Sequence, residues 1–358
     1  MPVATEPEPG PEVGWPTGRR LRESGTPPRS LVVLASLALA AGTGAALWTL
    51  PSGAVRPARA QRPAPAPPAP ASPSPVPSAV GRPGPVTRPS GFVTFVDAAR
   101  TPSFAPPERS APGRARWFAL GHLTAGGDGC TPVWSGRDRD LSPAGRLEAL
   151  RAAGGEAGLV FGGPGGGELA ATCADLGRLT GAYRRAVSAF DAGYIDFELG
   201  GRDGGTTVLR RAAAIAALQR EAAAAGRTLT VSFTLPADGD GLSRTDQEML
   251  RVTRERGAEI STVSLMVPIR AGQGRRSHLR PIAAAVRAAH PQIIRSLGGA
   301  GTRCRIALSP FLTGAKDLTT TDARKLVAFS TRKGMAWLST RGATPSWSVS
   351  RLLVGLTH

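Results

Sequence analysis

Aromatic residues are scarce: Phe, Trp and Tyr together make up 5% of 358 positions. That is thin for a protein expected to line a long groove with rings. Lysine is scarcer still, at Lys316, Lys325 and Lys333 only, so the formal charge of +18 is carried almost wholly by arginine. The basic excess is spread evenly and no run of five or more basic residues exists, so a nucleic-acid footprint is not expected; a GC-rich coding bias accounts for the arginine. Three cysteines without a CxxC exclude a zinc ribbon and a disulfide-dense scaffold. Four scattered histidines without HExxH exclude the common zinc hydrolases, and neither metal nor cofactor is expected. The glycine run Gly162-Gly163-Pro164-Gly165-Gly166-Gly167 lacks the Lys-Ser/Thr that would make it a phosphate-binding loop. What is present is 41% apolar residues, enough for a sizeable core.

The chain divides by composition. Residues 1–30 are polar, with Arg19, Arg20, Arg22 and Arg29 among them, and read as a cytoplasmic segment. Leu31–Leu50 follows without a charge; at ~1.5 Å per residue, it spans roughly 30 Å, the thickness of a bilayer core. Trp48 sits near its far end and Pro51 stops it. It reads as a transmembrane anchor or as a signal segment cleaved near Ala60, where Ala58-Arg59-Ala60 fits the small-x-small pattern. Either way the rest of the chain is expected outside the cytoplasm, membrane-tethered or secreted. Residues 51–90 hold thirteen prolines and no acid, the composition of an extended disordered stalk.

From residue 91 to 358, short apolar runs alternate with helical patterns. Strands are expected over Phe92–Ala98, Arg116–His122, Ala157–Gly162, Gly193–Leu199, Thr228–Leu235, Ile260–Pro268, Cys304–Pro310 and Gly334–Ser339. Helices are expected over Pro143–Ala153, Leu209–Ala225, Asp246–Arg256, Asp322–Arg332 and Trp347–Leu356, the third opened by a Thr245-x-x-Glu248 capping box. Eight strand-then-helix units in this length predict a single (β/α)8 TIM barrel of the α/β class. An open doubly wound sheet would need a glycine-rich fingerprint after the first strand, and none is there.

Several segments then fall in order. Tyr194-Ile195-Asp196-Phe197-Glu198-Leu199-Gly200-Gly201, Cys130-Thr131-Pro132-Val133-Trp134, Phe161-Gly162-Gly163 with Glu168-Leu169-Ala170, Val231-Ser232-Phe233-Thr234-Leu235-Pro236, Met266, and Trp337 with Arg341 together resemble family 18 glycoside hydrolases, the chitinases, in their secreted bacterial branch. The resemblance implies a site at the C-terminal ends of the strands that takes N-acetylglucosamine-containing glycan, with Trp337, Met266 and Trp134 as substrate-binding residues. It also implies that Cys130 and Cys173 pair as a disulfide. Trp337 reads as sugar floor or as plain packing, and Trp134 as loop anchor or sugar platform.

The chemistry departs from the pattern. The family protonates the leaving oxygen with a Glu at the end of strand four, and aligning Ile195-Asp196-Phe197 puts Asp196 and Glu198 on the preceding acidic positions and Gly200 on the acid itself. Ile269 and Arg270 stand where the family's strand-six Asp-Tyr pair would hold the acetamide. General acid catalysis is worth ~10²–10⁴ in rate, so the resemblance implies a pseudoenzyme that binds glycan with lost or weak hydrolysis. Two alternatives stay open. Sliding the register by two makes Glu198 the acid of an active chitinase or endo-N-acetylglucosaminidase. A non-catalytic protein-interaction scaffold is the other. Cys304 reads as a small buried hydrophobe, and Arg270, Arg275, Arg276 and Arg280 as a basic loop, either solvated or anion-binding.

Overall fold

The computed structural model describes residues 88–100, 116–135, 150–151, 154–165, 167–201, 203–269 and 279–355. The anchor or signal segment 31–50, nearly all of the stalk, most of the expected helix 143–153, and Arg270, Arg275 and Arg276 lie outside these residues. Among the described residues no helix is long and apolar enough to cross a membrane.

Seven parallel strands form the main sheet: β1 (Val93–Asp97), β2 (Trp117–Ala125), β4 (Glu156–Gly162), β5 (Tyr194–Glu198), β6 (Thr230–Pro236), β7 (Thr262–Met266) and β9 (Arg305–Leu308), neighbours in that order. The short β3 (Pro132–Trp134) runs antiparallel to β2. Buried on both faces, these strands read as nearly continuous apolar runs, the mark of a parallel sheet covered by helices. The helices are α1 (Leu169–Thr172), α2 (Leu176–Ala189), α3 (Gly205–Ala224), α4 (Arg244–Glu255), α5 (Arg280–Leu297), α6 (Thr320–Arg332) and α7 (Trp347–Gly355).

The sheet curls until both of its outer strands bond the segment 336–339. Leu338 bridges Phe92 on one side and Leu308 on the other, through Val93 N to Leu338 O at 2.8 Å and Ser339 N to Leu308 O at 2.9 Å. The expected eighth strand therefore enters as one bridged position rather than a full strand. Beyond the ends of β7, β9 and this segment lies a second, three-stranded parallel sheet of β8 (Pro268–Ile269), β10 (Phe311–Leu312) and β11 (Arg341–Gly342). It brings Arg341 to the C-terminal end of the main sheet.

Outward-facing rings fasten helices to the sheet. Phe161, Phe197 and Phe233 occupy one register on β4, β5 and β6 and stack at 5.5 and 5.4 Å, with Tyr183 of α2 edge-on. Inside the curl, Val93, Trp117, Val160, Tyr194, Ala307 and Trp337 form a separate apolar cluster. Gly158 makes room for it: a Cβ there would sit 2.0 Å from Tyr194 Cδ1. Tyr194 could not retreat, because its hydroxyl is tied to Ser232 at 2.9 Å and its ring lies edge-on to Trp117.

Three helix starts differ from expectation, α3 beginning at Gly205 rather than Leu209. α4 begins at Arg244, and Ser243 caps it by accepting from Asp246 N at 3.1 Å. Thr245 is already inside the helix, because Ser243 offers the same hydroxyl two residues earlier. α6 likewise starts at Thr320, behind a capping box of Thr319 and Asp322.

Candidate functional site at the C-terminal end of the curled sheet

Side chains two apart on a strand share a face, so Tyr194, Asp196 and Glu198 of β5 all project into the curl. Asp196 is fully buried. It accepts from Ser232 Oγ at 2.5 Å, Thr234 Oγ1 at 2.7 Å and Arg341 Nη2 at 3.2 Å. Burial pushes its carboxyl upward, and the guanidinium and two hydroxyls offset this only in part. Glu198 sits at the end of the strand, 6% exposed. Arg341 Nε donates to Glu198 Oε2 at 2.8 Å, and His122 Nε2 lies 3.2 Å from the same oxygen. Burial alone would raise Glu198, but His122 and Arg341 outweigh it and hold the carboxyl at about 2.

Arg341 fills the space above the two carboxylates. Its guanidinium lies 4.6 Å from the Phe95 ring centroid and also donates to Ser339 Oγ at 2.7 Å. With five donors in a fixed fork, arginine suits two carboxylates and a hydroxyl at once. Phe95 also meets His122, with ring centroids 4.8 Å apart. The result is a buried ionic cluster.

Gly200 lies just past the strand and is exposed; a Cβ built on it meets nothing within 4 Å. There is room for a side chain and none is present. Ile269 is fully buried in β8 opposite Leu312, and Met266 is half-buried opposite Pro236. Trp337 lies in the inner apolar cluster at 1% exposure, its Nε1 without a partner. Trp134 is buried edge-on against Phe190, ring centroids 5.6 Å apart. Neither indole presents a free face to solvent. Cys130 and Cys173 are joined as a disulfide, Cα–Cα 4.7 Å, tying the turn before β3 to the end of α1.

A second buried ionic group supports the loop after β4. Glu168 accepts from Ala170 N at 3.1 Å and Arg211 Nε at 3.0 Å, and also from the Tyr183 hydroxyl, while Arg211 reaches on to Asp203. This group holds α1, α2 and α3 together.

No protein-family model matches the chain. Over 141 residues, 38% of its length, the chain is 26% identical to a "Probable bifunctional chitinase/lysozyme" of Escherichia coli (strain K12), and the match spans 16% of that protein. Its fold superposes on active domain 2 of a thermostable chitinase from Pyrococcus furiosus, solved as catalytic site mutants complexed with chito-oligosaccharides. The TM-score is 0.63 at 19% identity, over 76% of this chain and 97% of that one. A fungal endo-beta-N-acetylglucosaminidase from glycosyl hydrolase family 18 superposes with a TM-score of 0.51 at 13% identity, over 75% and 98% of the two chains. The fold is that of the family 18 glycoside hydrolases.

In the family 18-like domain, β5 is fourth in the ring of parallel strands, the strand on which the resemblance places its acidic motif. The structure brings Asp196 and Glu198 together there and adds four partners that the motif does not contain. Ser232 and Thr234 were legible as the polar alternation within an apolar strand, with a period of two aimed inward. His122 lies in the C-terminal half of β2, and side chains towards that end of the strands line the mouth of such folds. Arg341 belongs to the Trp337-x-x-x-Arg341 segment, but nothing local indicates that it pairs with β5, some 145 residues earlier in the chain.

Proposed function

We propose that the family 18-like domain binds N-acetylglucosamine-containing glycan at the end of the sheet where Glu198, His122 and Arg341 lie, with hydrolysis lost or weak. The observation that carries this reading is the pairing of Glu198 with Arg341 Nε at 2.8 Å and with His122 Nε2 at 3.2 Å. A general acid must hold a proton at working pH, and these partners favour the ionised carboxylate, holding it well below its ordinary value. Gly200 has no proton to give. The chito-oligosaccharides bound to the Pyrococcus furiosus chitinase domain support the ligand class.

The test is chitotetraose turnover between about pH 4 and 8, with binding followed by calorimetry. The expected result is binding without cleavage above buffer, unchanged in Glu198→Gln once that variant is shown to be folded. Turnover by the wild type that vanishes in folded Glu198→Gln would make Glu198 the acid and overturn the proposal. The burial of Trp337 and Trp134 favours a second reading, a protein-interaction scaffold, since a sugar has no open indole to stack on. Absence of any glycan binding would select it.

The compartment follows from the same reading. The uncharged Leu31–Leu50 and the Cys130–Cys173 pair support an extracytoplasmic domain, anchored or released near Ala60. A reporter fused after His358 should be reached by external protease in intact cells or recovered from the medium. Its recovery solely in the cytosol would refute this.

A further inference from the structure

A cavity of about 520 Å³ opens at the other end of the sheet, between α5, α6 and the start of β9. Arg305, which lines it, is the first residue of its parallel strand, whereas Glu198 is the last of its own. The ionic cluster and this cavity are therefore separate features. Its size falls within the range of small-molecule pockets.

Four cationic or titratable side chains converge on it: Arg287 and His290 from α5, Arg305 from β9 and Lys333 at the C-cap of α6. Unpaired arginine alone would mean little in a chain of this composition. What marks this place is that the four, all exposed at its rim, line one cavity together. Among the described residues, no Asp or Glu lines the cavity or lies within 4.0 Å of its four basic groups. Arg305 is held by donating to Ala336 O at 3.3 Å. Beneath the basic groups the wall is apolar, with Val286, Ile306, Phe329 and Met335. Like charges gathered without counter-charge repel one another, and an anion placed between them relieves that repulsion.

We infer that this cavity is a binding site for a small organic anion, a carboxylate or phosphate headgroup on an apolar body. The headgroup lies among Arg287, Arg305 and Lys333, and the body rests on Ile306, Phe329 and Met335. The assignment does not depend on the glycan reading.

The cavity carries its own reporter. Cys304 lines it, and with Cys130 and Cys173 bonded to each other it is the remaining free thiol. The experiment follows N-ethylmaleimide labelling of Cys304 in the full chain, at about pH 8 so that the rate is measurable. The probes are 2-naphthoate, 2-naphthyl phosphate, the neutral 2-naphthamide and inorganic sulfate. An anionic naphthyl probe at about ten times its dissociation constant should slow labelling roughly tenfold and raise the melting temperature. The amide and sulfate should do neither. Arg287 and Lys333 are exposed, so the double variant Arg287→Glu, Lys333→Glu should fold and lose the protection. Equal protection by the amide, equal protection by sulfate, or none by either naphthyl anion overturns the proposal, as does full protection persisting in the folded double variant.

Discussion

Arg341→Met should cost the domain about 3–5 kcal/mol, read from the urea midpoint at neutral pH, because it leaves two buried carboxylates without their shared cation. Asp196 and Glu198 would then face each other with only Ser232, Thr234 and His122 as partners. Arg341→Lys should lose less, since it keeps the charge but not the fork that spans Glu198, Asp196 and Ser339. The decisive comparison is Arg341→Met combined with Asp196→Asn and Glu198→Gln. Neutral partners no longer need a cation, so the triple variant should recover most of the loss. A single-variant cost below about 1 kcal/mol would show that the cluster is not the desolvated ion pair described above.

Acid adds a signed test of the same cluster. Glu198 is held at about 2, below its ordinary value of 4.5. It therefore contributes stability that is complete above about 4.5 and is lost as pH falls from there towards 2. Asp196 works the other way: its carboxyl is raised above 3.8, so its ionisation disfavours the fold as pH climbs through that value. Removing Arg341 withdraws the hold on Glu198. The gap between Arg341→Met and wild type should therefore narrow on acidification through this window. A constant gap would mean that the variant acts through lost packing against Phe95 instead.

The same cluster marks where sequence reading succeeds and where it stops. Strands with side chains inside and outside the curl show as short apolar runs, and the helices between them show as longer periodic ones. Their order carries the topology, because parallel neighbours joined by helices follow chain sequence. Asp196 and Glu198 were legible because both lie on one strand, where a period of two fixes their common face. His122 and Arg341 arrive from elements that meet β5 only after the sheet curls, and no local pattern encodes that meeting. Trp337 was legible as a position but not as an environment. Its burial depends on Trp117 and Tyr194, contributed by the starts of two distant strands. The helix start at Ser243 was missed for a smaller reason: two hydroxyls two residues apart offer the same cap, and the structure uses the earlier one.

Breaking the Cys130–Cys173 bond, by the double change to serine, should cost up to about 4 kcal/mol. The bond closes a loop with a sequence separation of 43, and the loss of chain entropy in the unfolded state grows with the logarithm of that length. The folded state has other ties in the same region. Thr172 Oγ1 donates to Gly129 O at 2.7 Å, and Asp128 accepts from Thr131 N at 2.7 Å and from Arg178 Nη2 at 3.2 Å. The fold should therefore persist in the variant at reduced stability, with urea unfolding at a lower midpoint and ellipticity nearly unchanged beforehand. Because the stabilisation acts mainly on the unfolded chain, the denaturant slope should rise as the freed chain exposes more surface. Cys304 does not complicate the comparison. Its half-buried thiol is pushed up to about 12 by desolvation, so almost no thiolate is available at neutral pH to attack the bond in the wild type. Wild type and Cys304→Ser should thus keep the Cys130–Cys173 bond equally intact while folded under non-reducing conditions. A double-serine variant as stable as wild type would mean that the loop is already confined without the bond, by the contacts of Asp128 and Thr172.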